Sequence, residues 1–268
     1  MSAVSIPMIG RGPKLLEEMT TAEVAEALQR TDVAILATCA IEQHGAHLPL
    51  GTDWYIGEET TRRVIRVLAE RGHQAVGYAF PLGRSDGFLN FPGSLTLSNA
   101  TFVAVMKELV GCLHHQGFRR FVLLSGNGGN GTAMLIAGEE IHRELGCPVI
   151  FLDPLPYQIS YRSEILKNPA IDHHGAEGET SKVLVTHPHL VHQERSTFVE
   201  PLSDPRPYNF GPGVRVFAGR WEDFAPGGVV GDPRLGEAAT GEKAYERNAA
   251  WAADIIEKVF FSVGNKAG

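Results

Sequence analysis

Four apolar runs alternate along the chain with segments in which apolar residues recur at helical spacing. Continuous apolar runs of this length are typical of strands that are buried on both faces of a sheet. Glycine is favoured just beyond a helix C-terminus, and Gly72 and Gly117 end the helical segments that follow the first two runs. The four runs are VAILATCA at 33–40, HQAVGYAFPLG at 73–83, RRFVLLSG at 119–126 and CPVIFLDPL at 147–155.

This alternation of strand and helix with short connections predicts an α/β fold with a parallel sheet covered by helices. No repeat or long linker divides the sequence, so we predict a single domain over residues 1–268. A segment rich in Pro and Gly at about 196–235 predicts a long ordered excursion before the final helix. Ligands in such folds bind beyond the carboxyl ends of the strands, and three polar motifs fall there.

Composition narrows the function classes. The chain carries a net charge of -7 and no basic patch, which argues against a nucleic acid or an anionic membrane as its partner. Its three cysteines are odd in number and widely spaced, as expected of reduced thiols. No apolar run is long enough to cross a membrane. These features predict a soluble cytoplasmic protein.

The first polar motif, EQHGAHLPLGTD at 42–53, follows the first apolar run. Glu42 and His44 are two residues apart, so at the end of an extended strand their side chains point to one side. Asp53 begins the next helix and can return to the same place. Two carboxylates and an imidazole are ordinary ligands of Zn²⁺, Mn²⁺ or Fe²⁺. In the alternative interpretation, Asp53 caps the helix and the other two form a polar turn.

The second motif is the glycine turn SGNGGNG at 125–131, which joins the third predicted strand to a helix. Backbone N–H groups at such a turn are placed to hold an anion or a developing oxyanion. The turn lacks the Lys-Ser/Thr ending of a P-loop and does not match the G-x-G-x-x-G spacing. It is also consistent with a tight turn that binds nothing.

The third motif, DHHGAEGETS at 172–181, brings two histidines and three acids together within eight positions. Acids in a first helical turn satisfy free N–H groups and the helix dipole, which is the structural explanation. Two adjacent histidines exceed that need, so the motif favours a functional role.

The three motifs, together with FPGSLTL at 91–97 and GGVVGDPRLGEAATGEKA at 227–244, resemble in order those of the creatininase (creatinine amidohydrolase) family. The resemblance spans about residues 15–260. It implies a creatininase-like three-layer α/β/α sandwich with a mainly parallel central sheet and a metal-dependent hydrolase active site. It also implies a homo-oligomer, often a hexamer. Family members cleave non-peptide amide or related C–N bonds, and one branch acts on a short peptide product.

By this resemblance, Glu42, His44 and Asp53 match metal ligands, and Asp53 holds the bridging position. The family's glycine turn, however, reads N-G-H-G-G-N or N-G-H-x-E-N, with the histidine and glutamate as ligands. This chain has Asn127 and Gly129 at those two positions. An amide oxygen is a poor zinc ligand beside imidazole or carboxylate, so the number of ions, one or two, is left open.

The chain differs from the family's sequences in two further motifs, outside the glycine turn. The family's S-x-E-H becomes SDGF at 85–88 here, which loses an acid and a histidine. The family's H-A-G-E becomes HGAE at 174–177, which keeps both polar groups.

The working hypothesis is a hydrolase that uses a metal-activated water to cleave an amide, cyclic amide or formamide of a small molecule. One alternative is a metal-dependent hydrolase or isomerase acting at a C–C bond of a polyol-derived cyclic ketone. The other is a relative without catalytic activity. The predicted site has metal ligands Glu42, His44, Asp53 and Glu179, proton-transfer residues His174 and Glu177, and substrate-binding residues Ser85, Asn127, Gly128 and Gly129.

Overall fold

The computed structural model describes residues 8–198 and 220–262. A short hairpin of β1 (Met8–Ile9) and β2 (Gly12–Pro13) precedes the main sheet. The main sheet contains four parallel strands in the order β4-β3-β5-β6. These strands are β3 (Val33–Thr38), β4 (Val76–Phe80), β5 (Arg120–Ser125) and β6 (Val149–Leu152). They coincide with the four apolar runs.

The central strand β3 explains why the first apolar run is continuous. All six of its residues are buried, so both faces of the sheet are covered. Its register pairs Thr38 with Phe80 on one side and with Ser125 on the other. The carboxyl ends of three strands therefore meet at one edge, directly before the first two polar motifs.

Eight α-helices lie in the described ranges. Helix α2 packs against β3 and β4, α4 packs against β5 and β6, and α8 packs against α2, α5 and α6. The helices are α1 (Thr21–Leu28), α2 (Thr52–Glu70), α3 (Asn99–Gln116), α4 (Gly131–Leu145), α5 (Pro154–Ile165), α6 (Glu177–Thr186), α7 (Trp221–Phe224) and α8 (Ala238–Ile256). The predicted α/β/α sandwich with a parallel central sheet is confirmed.

Most of the predicted Pro- and Gly-rich excursion, residues 199–219, lies outside the described residues. Helix α5 was missed by the sequence pattern because its apolar residues do not gather on one face. Among the helices of residues 8–198 and 220–262, we find none that combines the length and the apolar character of a membrane span.

Candidate metal centre

The carboxyl edge of the sheet brings together side chains that are far apart in the sequence. Glu42 and His44 follow β3, Asp53 lies in the first turn of α2, and Glu179 lies in the first turn of α6. Potential ligand atoms of His44, Asp53 and Glu179 all lie within 4.8 Å of one another. A second group with the same spacing consists of Glu42, His44 and His174. Both groups therefore depend on His44.

The orientation of His44 is fixed through its Nδ1 atom, which lies 3.1 Å from the backbone oxygen of Glu42. With Nδ1 as the donor of that hydrogen bond, Nε2 is left to the carboxylates. Nε2 lies 3.5 Å from Oδ1 of Asp53 and 3.6 Å from Oε2 of Glu179. Burial lowers the pKa of His44, but the charges of Asp53 and Glu179 outweigh burial and raise it to about 10. The carboxylates thus hold a cation at this ring.

Two buried atoms of the cluster test whether a metal ion fits. Within the described part of the chain, neither Nε2 of His44 nor Oδ2 of Asp53 has a hydrogen-bond partner. Buried polar atoms are nearly always satisfied, so each of these atoms requires a partner from outside the described residues. Burial also raises the pKa of Asp53, which shows that its negative charge is poorly compensated. An imidazole nitrogen between carboxylates fits a divalent metal ion.

His174 lies beside this cluster with its ring stacked between two others. The ring centroids are 4.3 Å from His44 and 4.4 Å from Phe88. Nε2 of His174 donates to the backbone oxygen of Gln43 at 2.6 Å, and Nδ1 lies 3.9 Å from Oε1 of Glu42. Burial, with a further contribution from the charge of His44, lowers the pKa of His174 to about 3. The ring is therefore neutral at physiological pH and a weak base in the metal-free protein.

The glycine turn presents a donor to the cluster instead of a ligand. Nδ2 of Asn127 donates to Oε2 of Glu42 at 3.2 Å and to the backbone oxygen of Arg84 at 2.9 Å. Its Oδ1 accepts the N–H of Gly129 at 3.2 Å. Both polar atoms of this side chain therefore have protein partners, and the atom that faces Glu42 is a donor.

Gly129 stands where the resemblance places a glutamate ligand, and the local packing requires glycine there. A Cβ atom at position 129 would lie 2.4 Å from the backbone oxygen of Arg84. That distance is far inside van der Waals contact, so no larger residue fits unless the Arg84 segment moves. Gly128, by contrast, lies on the wall of the neighbouring cavity and has room for a larger residue.

Two other predicted site residues, Glu177 and Ser85, do not belong to the two groups of potential metal ligands. Glu177 is buried, and its carboxylate accepts hydrogen bonds from the backbone N–H groups of Lys167 and Asn168, at 2.8–3.0 Å. The structure does not bring this carboxylate into the cluster. Ser85 is buried beside Glu42: burial and the charge of Asp53 raise the pKa of Glu42, and the Ser85 hydroxyl opposes that rise.

Asn130 is a residue of the site that the sequence reasoning missed. Its Oδ1 accepts the N–H of Arg84 at 2.8 Å, and its Nδ2 donates to the backbone oxygens of Thr38 and Cys39 at 2.9 and 3.0 Å. This one buried amide joins the ends of three chain segments. The last Asn of the GNGGN sequence was the only available signal.

A cavity of ≈ 360 Å³ opens beside the cluster. Phe88 and Trp221 both line it, whereas Trp54 packs against the apolar core. The Trp221 ring is held by a hydrogen bond of 2.9 Å from Nε1 to the backbone oxygen of Gly228. It lies 5.4 Å from the ring of His174. The ring of His174 is therefore bounded by the aromatic rings of Phe88 and Trp221.

Comparisons with known proteins agree with this arrangement. The sequence model of the creatininase family, described as creatinine amidohydrolase, matches residues 17–256. Creatinine amidohydrolase of Pseudomonas putida is 27% identical over 194 residues, covering 67% of this chain and 74% of that protein. 3-Dehydro-scyllo-inosose hydrolase of Thermotoga maritima is 24% identical over 195 residues, covering 69% of this chain and 60% of that protein. A solved structure of creatininase with Mn has a TM-score of 0.76 at 24% identity, covering 92% of this chain and 99% of that one.

Proposed function

The chain belongs to the creatininase family of metal-dependent hydrolases, and we propose that it cleaves a non-peptide C–N bond in a small molecule. Amides, cyclic amides and formamides are the substrate classes we expect. The observation that carries the proposal is the pair of unsatisfied buried atoms, Nε2 of His44 and Oδ2 of Asp53, beside the carboxylate of Glu179. They form a donor set for a cation next to a cavity large enough for a small substrate.

We assign His44, Asp53 and Glu179 as the residues that hold one divalent ion. The second group of potential ligands also needs His44, and its Nδ1 is already engaged by the backbone of Glu42. A single free nitrogen cannot serve two ions, which supports one ion per chain. When bound, such an ion polarises a substrate carbonyl and makes a water molecule more acidic. Zn²⁺ and Mn²⁺ both accept this set of ligands.

The other side chains around the metal position transfer the proton, stabilise charge and limit the access of water. We assign transfer of the proton from the attacking water to the leaving nitrogen to Nδ1 of His174, because the other ring nitrogen is bound to the backbone oxygen of Gln43. The amide of Asn127 stabilises the charge of Glu42 by donating to its carboxylate. Phe88 and Trp221 exclude water from one side of His174. Gly128 contributes to the wall against which the substrate packs.

Metal analysis and a product assay together test this proposal. Purified protein reconstituted with zinc or manganese is expected to hold one ion per chain and to release ammonia or an amine from a panel of small amides. A double variant, Glu42→Gln with His44→Ala, should lose both properties, and His115→Ala, on the exposed part of α3, serves as the control. Full metal content and turnover in the double variant would refute the assignment.

The product also separates the alternatives. Release of a carbon acid without nitrogen from a polyol-derived cyclic ketone would indicate the C–C reaction. Metal binding without turnover on any substrate of the panel would favour a relative without catalytic activity.

We also propose a cytoplasmic homo-oligomer, with a hexamer as the expected form. All three cysteines are free, and Cys112 is exposed, which suits a reducing compartment. Leu135 and Ile136 on α4, with Leu155 and Ile159 on α5, are exposed apolar side chains of the kind that subunit contacts cover. Light scattering coupled to size-exclusion chromatography tests the assembly, and a monomer at micromolar concentration would contradict it.

A further inference from the structure

Lys182 places a buried positive charge on the wall of the cavity. It lies on α6, three residues after Glu179, and is only 5% exposed. Its Nζ atom donates to Oε1 of Gln158 at 3.3 Å, which is a neutral acceptor. Among residues 8–198 and 220–262, no carboxylate oxygen lies within 4.0 Å of Nζ.

An ammonium group in this position is incompletely satisfied. It has three donors, and the described residues supply one acceptor. Buried charges are costly unless they are paired and hydrogen-bonded. A partner for this charge can be supplied within the described site in two ways: by the more distant carboxylates of the metal cluster and by a ligand in the cavity. Because Lys182 itself lines the cavity, a ligand can reach it without passing through packed protein.

The spacing on α6 relates this charge to the reaction site. Residues three apart lie on the same face of a helix, separated by roughly 4.5 Å along its axis. Glu179 and Lys182 thus face the same cavity, one as a predicted metal ligand and the other as a cation. A ligand held at the first of these residues can extend a carboxylate to the second.

Resting on the proposed function, we propose that Lys182 binds an anionic group of the substrate, so that the substrate class is a short amide carrying a carboxylate. The scissile carbonyl lies at the cluster of His44, Asp53 and Glu179, and the carboxylate pairs with the ammonium group of Lys182. A neutral amide of the same size leaves that ammonium unpaired and binds more weakly.

The competing role for Lys182 is charge balance within the cluster. Its positive charge contributes to lowering the pKa of Glu179 and opposes the rise in the pKa of Asp53. Charge balance acts on any ligand and on the metal ion itself, whereas substrate recognition distinguishes ligands by their charge. The two roles therefore differ in what a matched pair of probes will show.

The test uses N-formylglycine and N-formylglycinamide, which contain the same number of non-hydrogen atoms and differ in the charge of one end. Their binding to the zinc-reconstituted protein is measured by calorimetry for the native chain and for Lys182→Met, Lys182→Arg and Lys243→Met. Lys243 is an exposed lysine on α8 and provides the matched control for loss of one positive charge. Zinc affinity is measured in parallel by competition with a chelator.

We expect the Lys182→Met variant to bind N-formylglycine about 10- to 100-fold more weakly, the size of one hydrogen bond to a charged group. Its affinity for N-formylglycinamide should stay the same, Lys182→Arg should recover most of the loss, and Lys243→Met should match the native protein. Equal weakening of both probes, a change in zinc affinity alone, or no binding of N-formylglycine at millimolar concentration would overturn the proposal.

Hydrolysis of the same probes separates this inference from the function on which it rests. If neither probe is cleaved but the charge preference follows Lys182, the anion site stands and the C–N reaction on this class fails. If both are cleaved and the preference does not follow Lys182, the reaction stands and the anion site is refuted.

Discussion

Two groups of polar side chains meet at the carboxyl edge of the sheet, and they differ in whether their atoms have protein partners. Around His44 and Asp53, buried atoms are left without hydrogen bonds in the described part of the chain. In the glycine turn, Asn127 uses both atoms of its amide within the protein. Beside carboxylates, unsatisfied buried acceptor atoms therefore indicate where a cation binds, whereas complete satisfaction indicates a scaffold. Similar motifs at the same edge thus have different tasks.

Removing a ligand should have the largest effect. Replacing Asp53 by Asn keeps its shape but removes the charge that, with Glu179, holds a cation at His44. We expect loss of bound metal and a decrease in kcat/KM of about 10³-fold or more, since a metal ion supplies several kcal/mol to the transition state. Atomic absorption and steady-state kinetics measure the two effects. An Asp53→Asn variant that keeps its metal would remove Asp53 from the ligand set.

Substitutions of the two predicted proton-transfer residues should have clearly different effects on kcat and on stability. His174→Gln removes the ring nitrogen that faces Glu42, so kcat should fall by about 10²-fold or more while metal content stays the same. Glu177→Gln weakens hydrogen bonds to the backbone of Lys167 and Asn168, so it should lower the free energy of unfolding by about 1–3 kcal/mol and leave kcat unchanged. Steady-state kinetics and urea unfolding of both variants measure these two effects. A drop in kcat without loss of stability for Glu177→Gln would make it catalytic after all.

Metal affinity should depend steeply on pH. The pKa of His44 is raised from 6.5 to about 10, so in the metal-free protein this ring keeps its proton at neutral pH. The proton stabilises the metal-free fold fully below pH 6.5, and this stabilisation is lost as pH rises through about 10. A metal ion must displace the proton, so its apparent association constant should increase by about tenfold per pH unit between pH 6 and 9. Chelator competition at several pH values, with calorimetric counting of released protons, checks this. A flat profile would mean that His44 is already neutral.

We expect the smallest effect from substitutions in the glycine turn, and it should be an effect on stability. Gly129→Ala forces its Cβ atom against the backbone oxygen of Arg84, and we expect about 1–3 kcal/mol of destabilisation from overpacking. Gly128→Ala is the matched control, because its Cβ atom would meet only Cδ2 of Leu155, at 3.5 Å. Thermal unfolding of both variants measures the difference. Equal melting temperatures would show that the Arg84 segment yields easily.

Much of this arrangement was predictable from the sequence because it depends on short-range patterns. The continuous apolar runs predicted β3 to β6, and the placement of the motifs after them predicted the edge at which Glu42, His44 and Asp53 meet. The position of Asp53 in the first turn of α2 was also foreseen. These inferences needed only strand alternation and helix capping.

The remaining features depend on contacts between distant segments, which no local pattern encodes. The sequence predicted a metal ligand at Glu179 and a proton-transfer residue at Glu177, yet the turn before α6 directs only Glu179 to His44. The engagement of Asn127 with Arg84 and Glu42 depends on how three loops pack. Lys182 was overlooked because a lysine on a helix is ordinarily exposed, and only the tertiary structure shows it buried.

The hydrogen bonds of Asn130 also connect the site to the slow steps of folding. Its amide forms hydrogen bonds with Thr38, Cys39 and Arg84, which are separated from it by 92, 91 and 46 positions along the chain. Contacts at such separations form only after long loops have closed, which is the slow part of assembling a parallel sheet. Strand β3 pairs with β5 across a similar separation, so the contacts of Asn130 depend on the same loop closures as the sheet. Glu179 is 126 positions from Asp53 in the sequence, so the ligand set is complete only once these closures have formed, and metal binding then stabilises the folded state.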